Sequence, residues 1–125
     1  MGTVITAKAK KKLAEARHGD IALPVVAGIA LGDGGVDAEG NVRMPLAEDI
    51  SLRSELVRKE YSKSEKVSDS CYCYRINLGR EELAGKSISE MALFDTAGDL
   101  LAISTFTGKQ KDADFEMAFE MYDRF

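Results

Sequence analysis

A two-residue alternation over residues 71–78 constrains the fold of this chain more than any other feature of its sequence. One set of alternate positions holds Tyr72, Tyr74, Ile76 and Leu78, and the other holds Cys71, Cys73, Arg75 and Asn77. Successive side chains of a β-strand point to opposite faces, so the larger apolar residues of this segment would share one face. The segment is therefore predicted to be a strand with that face on a hydrophobic core.

Three further strands are predicted in the second half of the chain, at residues 87–94, 99–106 and 114–122. The first two are joined by residues 95–99, whose glycine suits a tight hairpin turn. The last contains, at alternate positions, Phe115, Met117, Phe119 and Met121. We interpret these four residues as core rather than as the lining of a cofactor pocket, because neighbouring strands supply matching apolar positions.

The beginning of the chain carries a helix pattern over residues 6–18. Thr6 is a suitable N-cap and Gly19 a suitable stop, since glycine readily adopts the left-handed conformation that ends helices. The apolar face of this helix is narrow and consists of Ala9, Leu13 and Ala16. A face built largely of alanine stabilises a helix little, so we expect it to lie close against another surface.

The pattern changes several times between this helix and residue 71. Residues 24–31 are predicted to be a buried strand, and residues 32–44 a loop rich in glycine and aspartate. A helix is predicted near residues 47–56 from the roughly helical spacing of the apolar positions. It would continue into an exposed strand over residues 57–67, where lysines and glutamates protect a sheet edge from unwanted pairing.

These elements predict an α+β fold in which the N-terminal helix packs beside an antiparallel β-meander or sandwich. A chain of 125 residues is long enough for one modest core and too short for two. Residues 1–125 are therefore expected to form a single domain, with residues 57–125 as its β-rich part.

Two kinds of binding site, for phosphate and for calcium, are considered for the loop over residues 32–44, and its pattern favours neither. A phosphate-binding loop would need a lysine followed by serine or threonine and then a helix. A calcium site could use Asp33, Asp37 and Glu39, but their spacing departs from the EF-hand pattern and the bidentate glutamate is missing. A solvated turn is the preferred interpretation.

The cysteines and the histidine do not form a reactive pattern. Cys71 and Cys73 lie two positions apart on a predicted strand, where disulfide geometry is poor. A zinc site would need two more ligands, and His18 is the only histidine. His18 lies at the predicted helix end, where a capping or exposed position is preferred to catalysis. We predict no catalytic, cofactor-binding or metal-binding residues, no cofactor and no enzymatic activity.

The net charge of the chain and its hydropathy pattern limit the classes of partner that it can bind. The net charge of −4 gives no general attraction to nucleic acid or to anionic membranes. The longest apolar run, residues 21–31, is broken by Pro24 and Gly28 and is too short to span a bilayer. No secretory signal pattern opens the chain, so we expect it to be made and kept in a cytoplasm.

Several segments, taken in order, resemble the tail-collar fibre proteins of contractile-tailed phages. The first consists of Thr6, Ala7, Ala9, Lys12-Leu13-Ala14, Ala16 and Gly19. The second segment is Ile29-Ala30-Leu31-Gly32-Asp33-Gly34-Gly35, which is similar to the strand and the turn that follow this helix in the family. The family's hairpin is similar to Ile88-Ser89-Glu90-Met91-Ala92-Leu93-Phe94-Asp95 and Gly98-Asp99-Leu100-Leu101-Ala102-Ile103, with Ala92 where a glycine is usual. Its closing strand resembles Phe115-Glu116-Met117-Ala118-Phe119-Glu120.

The resemblance implies a structural component of a phage tail or a phage-derived injection apparatus, which attaches or forms the head of a tail or collar fibre at the baseplate. The implied partners are other tail, baseplate or fibre proteins and further copies of this chain, with a trimer favoured. The implied location is the virion tail, after assembly in the cytoplasm of the bacterial host. The alternative is a cytosolic binding module outside the virion, or a small enzyme of unknown substrate.

Overall fold

The computed structural model describes residues 2–125 and shows a mostly β protein. Strands account for 49% of the residues and helix for 10%. The elements in chain order are β1 (Gly2–Ile5), α1 (Ala7–His18), β2 (Val26–Gly32), β3 (Glu55–Glu60), β4 (Lys63–Ser68), β5 (Cys71–Leu78), β6 (Ser87–Asp95), β7 (Leu100–Gln110) and β8 (Met117–Arg124).

The predicted α+β class was wrong, because the helix does not form a layer of the fold. Within residues 2–125, α1 is the one helix, and it buries only Ala9 fully. Its Leu13 remains 36% exposed. A face of alanines removes little apolar surface from water, so the main core forms between two sheets instead. No helix in this part of the chain is long and apolar enough to cross a membrane.

Two antiparallel sheets share the main hydrophobic core. The first has the strand order β1-β7-β6-β2-β3, and the second has the order β4-β5-β8. Both sheets contribute fully buried side chains to this core, which include Ile29, Leu31, Ile76, Leu78, Ile88 and Leu93. A smaller buried cluster contains Phe94 and Ile103 of the first sheet together with Leu52 from the segment between β2 and β3. The first sheet therefore buries apolar residues on both faces.

The helix and most of the strand positions were predicted correctly. Thr6 is the N-cap of α1, and Gly19 follows the helix with a left-handed φ of 91°. β5 occupies residues 71–78 as expected, and β6 covers residues 87–94 and one residue more. β7 continues to Gln110 rather than ending at residue 106.

The last strand begins later than predicted. β8 starts at Met117, so Phe115 lies outside it and is 38% exposed. Phe119 and Met121 are buried in the main core, and the Phe119 ring lies 6.3 Å from the Phe106 ring of β7. The core interpretation is therefore confirmed for Phe119 and Met121 and wrong for Phe115.

The helix predicted near residues 47–56 is absent from the described structure, which has turns and the start of β3 there. Asp49 Oδ2 accepts a hydrogen bond from Leu46 N at 2.9 Å, which closes a turn where the helix would begin. Leu52 is 6% exposed whereas Ile50 is 79% exposed. The apolar residues of this segment therefore do not share one buried face, and the helical spacing was misleading.

The exposed strand predicted over residues 57–67 consists of two strands. β3 ends at Glu60 in the first sheet, and β4 begins at Lys63 in the second. The chain therefore changes sheets at Tyr61 and Ser62. All six residues of β4 are exposed and the strand lies at a sheet edge, which confirms that charge covers an exposed edge here.

β1 was not predicted, because four residues are too few to show a clear alternation. It pairs with β7, and Val4 lies opposite Ile103. The hydroxyl of Thr6, which follows β1, accepts a hydrogen bond from Ala9 N at 3.0 Å and donates one to Leu100 O at 2.7 Å. The N-cap therefore attaches the start of α1 to β7.

We expect Ile76→Ala to lower the free energy of unfolding by about 2–4 kcal/mol, because it leaves a cavity between the sheets. Ile76 is fully buried, whereas Val67 on β4 is 50% exposed. Val67→Ala is therefore a matched control, with an expected loss under about 0.5 kcal/mol. Urea denaturation followed by circular dichroism measures both. Equal losses would contradict a core shared by the two sheets.

Candidate functional site

The glycine-rich segment of residues 32–35 packs against β6 at very short range. We call this segment, together with Ser89 and Glu90, the glycine crossing. Gly34 N donates to Glu90 Oε2 and Gly35 N donates to Ser89 Oγ, each at 2.9 Å. A Cβ added at Gly35 would lie 1.9 Å from Ser89 O, which is far inside van der Waals contact. The backbone can approach β6 this closely only because these positions carry no side chain.

The carboxylate of Glu90 is the centre of the glycine crossing. Glu90 is 2% exposed, and besides Gly34 N its oxygens accept from Arg53 N at 3.0 Å and Ser54 N at 2.9 Å. Within residues 2–125 no lysine or arginine forms an ion pair with it. Three backbone N–H groups therefore replace the water that the charge loses on burial. One side chain attaches two loop segments to β6.

A second polar cluster joins α1 to the turn between β6 and β7, and we call Lys12, Asp95 and Asp99 the lysine clasp. Lys12 Nζ lies 2.6 Å from Asp95 Oδ2 and 2.5 Å from Asp99 Oδ2. Asp95 is 2% exposed, and its Oδ1 accepts from Ala97 N and Asp99 N. The same carboxylate therefore shapes the hairpin turn and binds the helix.

The contacts of the lysine clasp shift the pKa values of Lys12 and Asp99. Hydrogen bonds to Asp95 and then to Asp99 raise the pKa of Lys12 above its usual value. The hydrogen bond from Lys12 lowers the pKa of Asp99 below its usual value. Both shifts favour the charged forms of Lys12 and Asp99 at neutral pH.

The two clusters lie on the same strand, since Glu90 and Asp95 both belong to β6. The glycine crossing positions the loop after β2, and the lysine clasp positions α1. In both, the buried carboxylate is occupied by hydrogen bonds from the chain itself. This arrangement fixes two surface segments, α1 and the loop after β2, in place on the first sheet.

The residues considered for calcium do not gather into a site. Asp37 Oδ1 accepts from Asn41 N at 2.9 Å and from Glu39 N at 3.0 Å. These hydrogen bonds, with that from Asn41 the larger cause, lower the pKa of Asp37. Residues 2–125 contain no group of three or more His, Cys, Asp or Glu side chains that could hold a metal ion. Asp37 organises a turn, as its Asx-type bonds indicate.

Cys71 and Cys73 both lie on β5, His18 lies at the end of α1, and the three form no reactive group with one another. Both thiols are free and buried in β5. Burial first, and then the Glu120 carboxylate 3.6 Å from Cys73 Sγ, raise the pKa of Cys73, so it is a protonated and weak nucleophile at neutral pH. His18 is exposed at the end of α1, where its Nδ1 lies 3.0 Å from Asp20 Oδ1.

Sequence reasoning missed Glu90 and Lys111 as structural residues. Lys111 is fully buried, and its Nζ donates to Arg80 O at 2.8 Å and to Asp112 O at 2.7 Å. Glu90 could have been noticed, because it interrupts an apolar strand that faces core on both sides. Lys111 follows exposed Lys109 and Gln110 and gave no such signal.

We expect Glu90→Ala to cost about 3–5 kcal/mol of stability, because it leaves three N–H groups without their acceptor. Hydrogen exchange at Gly34 and Ser54 should accelerate more than exchange in β5. Glu81→Ala is the control, since Glu81 is exposed. Retained amide protection in a folded Glu90→Ala protein would refute the role of this carboxylate.

We expect Lys12→Met to lower stability at pH 7 by about 1–2 kcal/mol, a modest value because Asp99 is partly exposed. Because the pKa of Asp99 is lowered on folding, its contribution exists above its usual pKa of 3.8 and is lost as the pH falls through the folded value. The difference from wild type should therefore shrink in acid. Lys11→Met, at an exposed position, should match wild type at every pH in thermal unfolding. A difference for Lys12→Met that does not change with pH would contradict the clasp.

Comparison with known proteins adds no family to this picture. No protein-family profile matches the sequence, and no curated protein is significantly similar to it. The function of the chain is therefore argued from its residues and their contacts.

Proposed function

We propose that this chain is a non-enzymatic structural component of a phage tail or phage-derived injection apparatus, where it attaches or forms the head of a tail or collar fibre at the baseplate. One observation carries the proposal. The segments of the sequence that resemble tail-collar fibre proteins contact one another directly through the glycine crossing and the lysine clasp. Direct contact between these segments in the fold explains why they occur together in one kind of protein.

The contacts at both ends of β6 support this interpretation. At one end, the turn at Gly34 and Gly35 binds Glu90 and Ser89. At the other end, α1 binds the hairpin through Lys12, and Thr6 binds Leu100 O. The residues that carry the resemblance therefore include those that attach the helix and the loop to the sheet.

A rigid sheet with attached surface segments suits an attachment domain. A docking surface binds more tightly when its segments are already in the bound conformation, because less conformational entropy is lost on association. Glu90 and the N-cap Thr6 give α1 and the loop after β2 such fixed positions. The main polar groups of the site are engaged in these attachments, which supports a structural rather than a catalytic role.

The proposed partners are other tail, baseplate or fibre proteins, together with further copies of this chain in a trimer. The proposed location is the virion tail, after assembly in the bacterial cytoplasm. The net charge of −4 fits a protein surface as the partner better than nucleic acid or an anionic membrane.

Tail particles from the strain that encodes this chain should contain it, and cryo-electron microscopy should locate it at the baseplate or fibre junction. Glu90→Ala should reduce incorporation at least about tenfold by releasing the loop after β2. His18→Ala and Cys73→Ala should be incorporated normally, because neither residue contributes to the attachments. Tails that assemble fully without the chain, or a folded His18→Ala protein that loses turnover of a substrate, would refute the proposal.

A further inference from the structure

A small pocket lies where α1 meets the end of β8, and we call it the helix pocket. Its volume is about 60 Å³, and its lining residues lie in or beside β1, α1, β2, β7 and β8. Within residues 2–125, Asp123 contributes the one charged side chain of the lining. Because Ile5 and Leu13 of the lining are each 36% exposed, the pocket is open to solvent. The other walls are also apolar and include Ala9, Val26, Leu101 and Phe125.

The position of Asp123 on β8 is unusual for a carboxylate. Phe119 and Met121 of this strand are buried in the main core, and Asp123 follows them at the same two-residue interval. Its side chain therefore lies on the face of the second sheet that is turned toward the first sheet. An apolar side chain there would add to the core, whereas a partly buried carboxylate loses water and so costs stability.

No basic side chain of the described part of the chain offsets this cost. Arg17 lines a neighbouring depression, Lys66 lies on the same sheet face two strands away, and Arg124 follows Asp123 in β8. Within residues 2–125 none of the three forms an ion pair with Asp123. Burial alone raises the pKa of Asp123. Tyr74 is a titratable neighbour, since its pKa is raised by burial first and then by the charge of Asp123.

The size of the helix pocket limits what can enter it. A water-sized sphere takes about 10–15 Å³ of such a volume, so about 60 Å³ accommodates roughly four to six non-hydrogen atoms. An n-butylammonium ion is of this size, whereas an aromatic amine is larger. A ligand that fits both the walls and the carboxylate is therefore a short apolar chain that ends in a positive charge.

We propose that the helix pocket binds an unbranched primary alkylammonium group, with its carbon chain against the apolar walls and its ammonium against Asp123. The ammonium supplies the opposite charge and the N–H donors that the carboxylate lacks within residues 2–125. A lysine side chain of a partner protein and a free alkylamine both present this group. The inference does not rest on the proposed tail function, since the purified chain is sufficient to test it.

NMR titration of the isotope-labelled full chain with n-butylammonium chloride tests the pocket. We expect a dissociation constant on the order of 1–50 mM at pH 7, because so few atoms make contact. The largest shifts should be at Ala9, Leu101 and Asp123. Ammonium chloride, which lacks the chain, and n-butanol, which lacks the charge, should each bind at least about tenfold more weakly. Equal shifts with ammonium chloride would overturn the proposal.

Asp123→Asn keeps the shape of the side chain and removes its charge. This variant should weaken n-butylammonium binding at least about tenfold and leave the binding of n-butanol unchanged. Its melting temperature should be no lower than that of wild type, since no ion pair is lost. Glu120→Gln is the matched control, because Glu120 lies on the opposite face of β8, and it should bind as wild type. A folded Asp123→Asn protein with wild-type affinity for n-butylammonium would overturn the proposal.

The protonation of Asp123 provides an independent measurement. Binding needs the ionised carboxylate, so the affinity should fall as the pH is lowered through the pKa of Asp123, which lies above its usual value of 3.8. By linkage, bound n-butylammonium should lower this pKa, measured as the midpoint of the Asp123 carboxyl carbon signal. A midpoint that n-butylammonium does not move would overturn the proposal.

A second ligand distinguishes the two sources of the alkylammonium group. Nα-acetyl-lysine methylamide presents the group on a peptide backbone, whereas n-butylammonium presents it alone. Comparable affinity for the two assigns the helix pocket to a lysine side chain of a partner protein. Binding of n-butylammonium with no binding of the lysine derivative assigns it to a free amine. Binding of neither ligand would overturn the proposal.

Discussion

The buried carboxylate of Glu90 is the interaction on which the surface architecture of this protein depends. A charge that is 2% exposed is tolerated because backbone N–H groups from two separate segments donate to it. Those donors lie far apart in sequence, so the loop after β2 and the approach to β3 are fixed by one side chain of β6. Gly34 is required by the same carboxylate, since an added Cβ there would lie 2.9 Å from Glu90 Oε2, and Gly35 is required by the neighbouring backbone of Ser89.

The helix plays a different part from the one that its pattern suggested. It buries one alanine and is attached mainly by polar contacts, through Thr6 at its start and Lys12 at its middle. Its remaining lysines and its arginine stay on the surface. A helix attached in this way leaves much of its surface exposed, apolar as well as charged.

Local patterns predicted the elements but not their arrangement. The alternation in residues 71–78 and the caps at Thr6 and Gly19 are properties of neighbouring residues, and the strand and both caps are present in the structure. The predicted core face was wrong for Tyr72, which is 45% exposed, whereas Cys71 and Cys73 are buried. The helix near residues 47–56 failed because Asp49 closes a turn and Glu90 binds the segment from β6, a contact between distant residues. The two sheets were not separated for the same reason, since the change at Tyr61 and Ser62 shows only in the pairing. The buried Lys111 gave no sequence signal at all.

The pairing of β1 with β7 has a consequence for the order of folding. Thr3 and Ser104 share a hydrogen bond across 101 positions of the chain, so the first strand meets its neighbour only after most of the chain has been synthesised. Contacts of such long range slow folding, since a large loop must close before they form. During translation, α1 therefore emerges before Leu100, the residue to which its N-cap Thr6 is attached in the folded sheet.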